Sequence, residues 1–137
     1  MEGIKLFLFC LILCSLTGCS GISEVVRGVA GVSTKVLEDK RKDAVVGDFS
    51  SDFDTARSKI KAALKENGSY IYREDLSSNL IAVYVSEKDT TPVGIFLTAL
   101  DIDNTRVEVS SPSTYGKEVI AKVIFNALRG IPNAKKQ

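Results

Sequence analysis

The sequence predicts an α+β domain: a two-layer fold with an antiparallel sheet of four to five strands and two helices packed on one face, in the order β-α-β-β-β-β-α. Three observations predict it. Two segments repeat apolar residues at spacings of three and four, the period of a helix with one buried stripe. The remaining apolar segments are short, rich in β-branched and aromatic residues, and several alternate apolar with polar. Turn formers separate them: Asn67-Gly68, Leu76-Ser77-Ser78-Asn79, Asp89-Thr90-Thr91-Pro92 and Asp101-Ile102-Asp103-Asn104. Two helices on one face of such a sheet bury both apolar stripes, and the alternating strands leave the other face wet.

The elements follow in order from about Ala44. Val45, Gly47 and Phe49 alternate with Val46, Asp48 and Ser50, as in a short strand. Ser51-x-x-Asp54 has the spacing of a capping box, with Ser51 satisfying an orphan amide. Phe53, Ala56, Ile60, Ala63 and Leu64 share one helical face, and Arg57, Lys59, Lys61 and Lys65 fill much of the rest. Gly68 ends this helix because glycine accepts the left-handed conformation of a C-terminal cap. Strands are expected over Tyr70–Arg73, Leu80–Val85, Val93–Leu100 and Thr105–Val109, the last two joined as a hairpin through 101–104. Ser111-Pro112 marks the start of the second helix, proline being tolerated in the first turn. Ile120, Val123, Ile124, Ala127 and Leu128 form its buried stripe, and Gly130 and Pro132 stop it.

The N-terminal region has another character. Lys5 precedes an unbroken apolar run, Leu6–Leu13, which continues through Cys14, Ser15 and Leu16. Spanning a hydrocarbon core of about 30 Å takes about 20 apolar residues, so this run reads as a secretory signal instead. Leu16-Thr17-Gly18-Cys19 closes it and resembles the lipobox of bacterial lipoproteins. The resemblance implies that the Gly18–Cys19 bond is cleaved and that Cys19 carries acyl chains, palmitate among them. One chain holds weakly, whereas two or three hold a domain at a membrane almost permanently. Ser20 after the cysteine resembles the outer-membrane class of Gram-negative envelopes, which implies an outer-membrane anchor facing the periplasm.

This gives four expected regions: a cleaved signal over 1–18, a lipidated N-terminus and tether over 19–43, the α+β domain over 44–132, and a polar tail over 133–137. In the tether, Ile22, Val25, Val26, Val29 and Val36 allow one apolar stripe, while Gly28 and Gly31 weaken a helix by about 1 kcal/mol each. The segment therefore reads as a partly helical spacer before the charged run 38–43. Fully extended, its roughly 24 residues reach about 80 Å.

Composition excludes several functions. The 137 residues carry 18 Lys+Arg and 17 Asp+Glu, and the signal would remove one of each, Lys5 and Glu2. That balance lacks the basic excess of a nucleic-acid binder. There is no histidine, so Ser-His or Cys-His catalysis and histidine metal sites are excluded. Cys10 and Cys14 leave with the signal and Cys19 is the anchor, so no disulfide is expected in the mature domain. No cofactor or metal is expected.

A strand, then a helix ending in Leu64-x-x-Asn67-Gly68, then strands ending in Thr105-Arg106-Val107-Glu108-Val109, over about residues 44–130, resembles small bacterial lipoprotein domains, many of them known only as domains of unknown function. In outline it is also similar to the domains of a lipoprotein component of the outer-membrane β-barrel assembly machine, a likeness of fold alone. Neither resemblance carries a catalytic residue.

The remaining motifs are weak. Ser58-x-x-Lys61 has the spacing of a serine–lysine nucleophile pair but sits mid-helix on the presumed wet face, without companion motifs. Asp101-x-Asp103-Asn104 opens like a calcium loop, yet Arg106 and Pro112 stand where glycine and glutamate belong. Arg57, Lys59, Lys61 and Lys65 can meet anionic lipid headgroups, and the same residues, like Lys135-Lys136, make an ordinary solvated surface. Tyr70, Tyr72 and Tyr84 can share one sheet face, where aromatics stabilise strand pairs or bind glycans and peptides. They form the binding patch expected here. The expected function is a non-enzymatic binding or accessory module of the envelope, held to the membrane by Cys19 and contacting an envelope protein or cell-wall polymer. A carrier of lipid or small molecules is the first alternative and would need an apolar cavity. A wall enzyme is the second and would need Asp48, Asp89, Asp101 or Asp103 to converge in a cleft.

Overall fold

The computed structural model describes residues 33–133. The signal, Gly18, Cys19, tether residues 20–32 and Lys135-Lys136 lie outside the described residues. A short helix α1, Lys35–Asp39, leads through a 3-10 turn, Arg41–Asp43, into β1, Val45–Phe49. Then come α2, Phe53–Asn67; β2, Tyr70–Asp75; β3, Leu80–Tyr84; β4, Pro92–Ala99; β5, Thr105–Ser110; and α3, Thr114–Arg129. The strands form one antiparallel sheet in the order β1-β5-β4-β3-β2, so β1 and β2 are its edges. The predicted α+β architecture, with α2 and α3 on one face, is the one observed.

The main core lies between those helices and the sheet. Ala56, Ile60, Ala63 and Leu64 of α2 and Ile120, Val123, Ile124 and Leu128 of α3 are buried there. They meet Ile81, Val83, Ile95, Leu97, Val107 and Val109 from the strands. Phe49 and Phe125 pack at a tilt of 56° with ring centroids 5.0 Å apart, closing the β1 side. Both helices end as the sequence predicts, on Gly68 (φ 78°) and Gly130 (φ 72°) in the left-handed region.

Their starts are shifted. Asp52, not Ser51, caps α2, its carboxylate accepting from the Thr55 amide at 2.9 Å. Ser113, not Ser111, caps α3, accepting from the Gly116 amide. The neighbouring serines are held elsewhere. The Ser51 hydroxyl donates to the Asp52 carbonyl at 3.3 Å, and Ser111 Oγ donates to the Pro92 carbonyl at 2.7 Å.

The second face of the sheet is not simply wet. Leu80, Ala82 and Phe96 point away from α2 and α3 and are fully or almost fully buried with Leu37 of α1. Ser110 Oγ donates to the Leu37 carbonyl at 2.7 Å. The Arg41 guanidinium sits 4.3 Å from the Phe96 ring centroid and pairs with Glu108. Gly94 permits the approach of α1, since a Cβ there would lie 2.9 Å from Leu37 Cβ. The expected boundary at Ala44 therefore moves: residues 34–43, read as the end of the tether, are packed on the domain.

Removing a buried leucine side chain typically costs about 2–5 kcal/mol. Leu37→Ala should lower the unfolding free energy of the protein by about that amount in urea titrations. A change below about 0.5 kcal/mol, the scale of a surface substitution, would mean that α1 is only a spacer after all.

Candidate functional site

The tyrosines converge at the β2 edge. Antiparallel register places Tyr70 directly opposite Tyr84, and two-residue alternation puts Tyr72 on the side of Tyr70. The register then slips between Ile71 and Arg73, leaving Tyr72 as the extra residue of a bulge. Tyr84 consequently stacks on both neighbours. Its ring centroid lies 6.3 Å from that of Tyr70 at 11° and 4.3 Å from that of Tyr72 at 22°. The face is the second one, since Tyr72 also packs against the cluster of Leu37, Leu80, Ala82 and Phe96.

The three rings differ in exposure. Tyr70 is outermost, with 53% of its surface exposed. Tyr84 is half-buried between its neighbours, and Tyr72 lies inside. The Tyr72 hydroxyl is buried and has no hydrogen-bond partner among the described residues. Burial, reinforced by Tyr84, pushes its pKa up to about 12.

Beside the ladder, on the α2 side of the same edge, runs an open groove of about 500 Å³. Lys61, Ala62 and Lys65 from the last turns of α2 line it together with Ser69, Tyr70 and Glu87, among others. Lys61 Nζ lies 2.8 Å from Glu74 Oε1, and Arg57 donates to Glu74 Oε2 at 2.6 Å. Lys61 and then Arg57 hold the Glu74 carboxyl below its usual range. Of the four basic residues expected to face anionic headgroups, Arg57 and Lys61 are thus engaged by a carboxylate, while Lys59 and Lys65 stand exposed.

The other candidates are not drawn together. Ser58 and Lys61 lie on the exposed surface of α2. Asp101 closes the β4–β5 turn, accepting from the Asp103 amide at 2.8 Å and from Asn104 Nδ2 at 2.9 Å. Asp48 forms a two-pronged pair with Arg106 at 2.7 and 2.9 Å. Asp89, at the other end of β4, accepts from Thr91 Oγ1 at 2.6 Å. Among the described residues no three His, Cys, Asp or Glu side chains are grouped to hold a metal ion. Buried apolar side chains of both helices and the strands meet between the layers, and none of these buried core residues lines the groove.

Sequence reasoning found the three tyrosines but neither the bulge nor the groove. Lys61 and Lys65 are four residues apart on a helix, which predicts that they share a side, but nothing local brings Glu87 near them.

Two measurements test the burial of Tyr72. Because its folded pKa lies above the ordinary tyrosine value of 10.0, its neutral form is favoured in the fold. That contribution is fully present below about pH 10 and is lost as pH rises through about 12. Tyrosinate absorbance should show one tyrosine titrating late, and Tyr72→Phe should remove that phase. The same change deletes a buried unpaired hydroxyl and should be neutral or stabilising by about 1 kcal/mol; a loss of that size would reveal a hidden partner.

Set against known proteins, no family model matches this chain and no curated protein matches it.

Proposed function

We propose that this protein is a lipid-anchored component of a bacterial cell envelope that works as a non-enzymatic binding or accessory module. The anchor reading rests on Leu16-Thr17-Gly18-Cys19 behind a short apolar run, with Cys19 as the acylated residue. Ser20 supports the outer membrane, facing the periplasm, in a two-membrane envelope. The binding reading is carried by one observation: the stacked Tyr70, Tyr84 and Tyr72 at a sheet edge, with the outermost ring half in solvent. Aromatic rings of this kind supply large contact areas at low entropic cost, and few residues dominate such contacts.

The mechanism is confinement. An anchored domain samples a thin shell above the membrane, and the resulting local concentration makes a weak surface effective. A neighbouring envelope protein or cell-wall polymer is the partner this arrangement suits. The apolar packing of Ile60, Leu64, Ile120 and Ile124 between helices and sheet does not favour a carrier, and Asp48, Asp89 and Asp101 are each held in hydrogen bonds of their own, which does not favour a hydrolase.

Labelled palmitate should enter the wild-type protein and not Cys19→Ala, which should also leave the membrane fraction. Membrane residence without label would defeat the anchor reading. Affinity for purified cell-wall polymer or a captured envelope protein should fall about tenfold in Tyr70→Ser, the loss of one aromatic hot spot. Unchanged affinity in that variant would remove the tyrosine ladder from the site.

A further inference from the structure

We infer that the groove between the end of α2 and β2 takes a carboxylate-bearing glycan, with Lys65 and Lys61 meeting its carboxylate and Tyr70 joining the groove to the tyrosine ladder. This rests on the binding-module reading and names its ligand class. Tyr70 lines the groove and stacks on Tyr84, so one continuous surface turns around the β2 edge. Its volume of about 500 Å³ falls in the range of roughly 300–1,000 Å³ common for small-ligand sites. It is a trough open to solvent, suited to a segment of a long polar chain.

Charge favours an anionic group there. Lys61 and Lys65 project from one side of α2, four residues apart. Glu74 divides its single charge between Lys61 and Arg57, and with Glu87 also counted, Arg57, Lys61 and Lys65 keep one positive charge in excess. Lys65 has no acidic partner among the described residues. The helix C-terminus would repel an anion through bare carbonyls. Here the Leu64 carbonyl accepts from the Ser69 amide and that of Lys65 from the Gly68 amide. Glu87, which also lines the groove, offers an acceptor for sugar hydroxyls.

The edge itself argues against a peptide. Strand addition needs a regular edge, and β2 carries a bulge at Tyr72 followed by Arg73, Glu74 and Asp75. Bulges and charges are the devices that keep edges from pairing. A sugar chain needs no ladder; it needs an aromatic face and dispersed polar groups, which this surface offers.

The test uses the full-length lipoprotein in detergent micelles and two probes: an oligogalacturonate of six units, and the same oligomer after reduction of its carboxylates to neutral alcohols. Calorimetry should detect the acidic oligomer, with affinity falling at least tenfold on carboxyl reduction. Lys65→Gln should weaken acidic-oligomer binding five- to tenfold, Lys65→Arg should restore most of it, and Lys122→Gln on α3 should leave it unchanged. Equal affinity for both oligomers, lost in Tyr70→Ser but not in Lys65→Gln, would overturn the carboxylate proposal and leave the binding module standing. Binding of neither oligomer, or of an acidic peptide alone, overturns the glycan assignment itself.

Discussion

Strands β3 and β4 are buried on both faces, and the rest of the structure follows from the need to cover them twice. Leu80, Ile81, Ala82 and Val83 are all fully buried, although alternate side chains point to opposite sides. Two amphipathic helices cover one side. On the other, α1 delivers one leucine onto Leu80, Ala82 and Phe96, and Arg41 spreads its guanidinium over Phe96. A five-residue helix is too short to hold itself, so its place depends on that contact and on the Ser110 bond to its backbone.

The tyrosine ladder extends this second cover toward the β2 edge, where α1 gives way. With a regular β2, Tyr72 would stand opposite Ala82; the bulge gives that place to Arg73 and brings Tyr72 over Tyr84. One inserted residue therefore converts a simple cross-strand pair into a three-ring stack. It also seals the Tyr72 hydroxyl without a partner among the described residues. Buried unpaired groups are unfavourable for folding alone, which makes this hydroxyl one of the few features of the domain that packing does not account for.

Much of this was legible in the residues. The helical stripes and both glycine caps are local signals that tertiary packing had no reason to override. The long-range features were not legible. Ser51 and Ser111 have the chemistry of caps, but the Ser51 hydroxyl donates to the neighbouring Asp52 carbonyl and that of Ser111 to Pro92, far away in sequence. The continuous apolar run Leu80–Val83 did carry a sign of two-sided burial, since a half-wet strand alternates. What could cover the second side was hidden, because Leu37 is a single apolar residue beside a charged run. The bulge left no mark at all: Tyr70-Ile71-Tyr72-Arg73 reads as an unbroken strand.

The near-neutral composition conceals an uneven distribution that bears on where an anionic ligand can settle. The β2–β3 and β4–β5 turns and the start of α2 lie at one end of the sheet, as the strand registers require. That end carries Asp52, Asp54, Asp75, Asp101 and Asp103, and its turns hold no lysine. Hydrogen bonds from Thr55, Ser77 and Asn104 hold Asp52, Asp75 and Asp101 below the usual carboxylate range, so these stay ionised. Their repulsion acts over about a Debye length, roughly 8 Å at physiological salt, and discourages anions from the turns. At the opposite end, Lys65, Lys88 and Lys117 stand among Glu66, Glu87, Asp89 and Glu118, so neither sign dominates there. The groove lined by Lys61, Lys65 and Tyr70 lies away from those acidic turns, where an anion meets less repulsion.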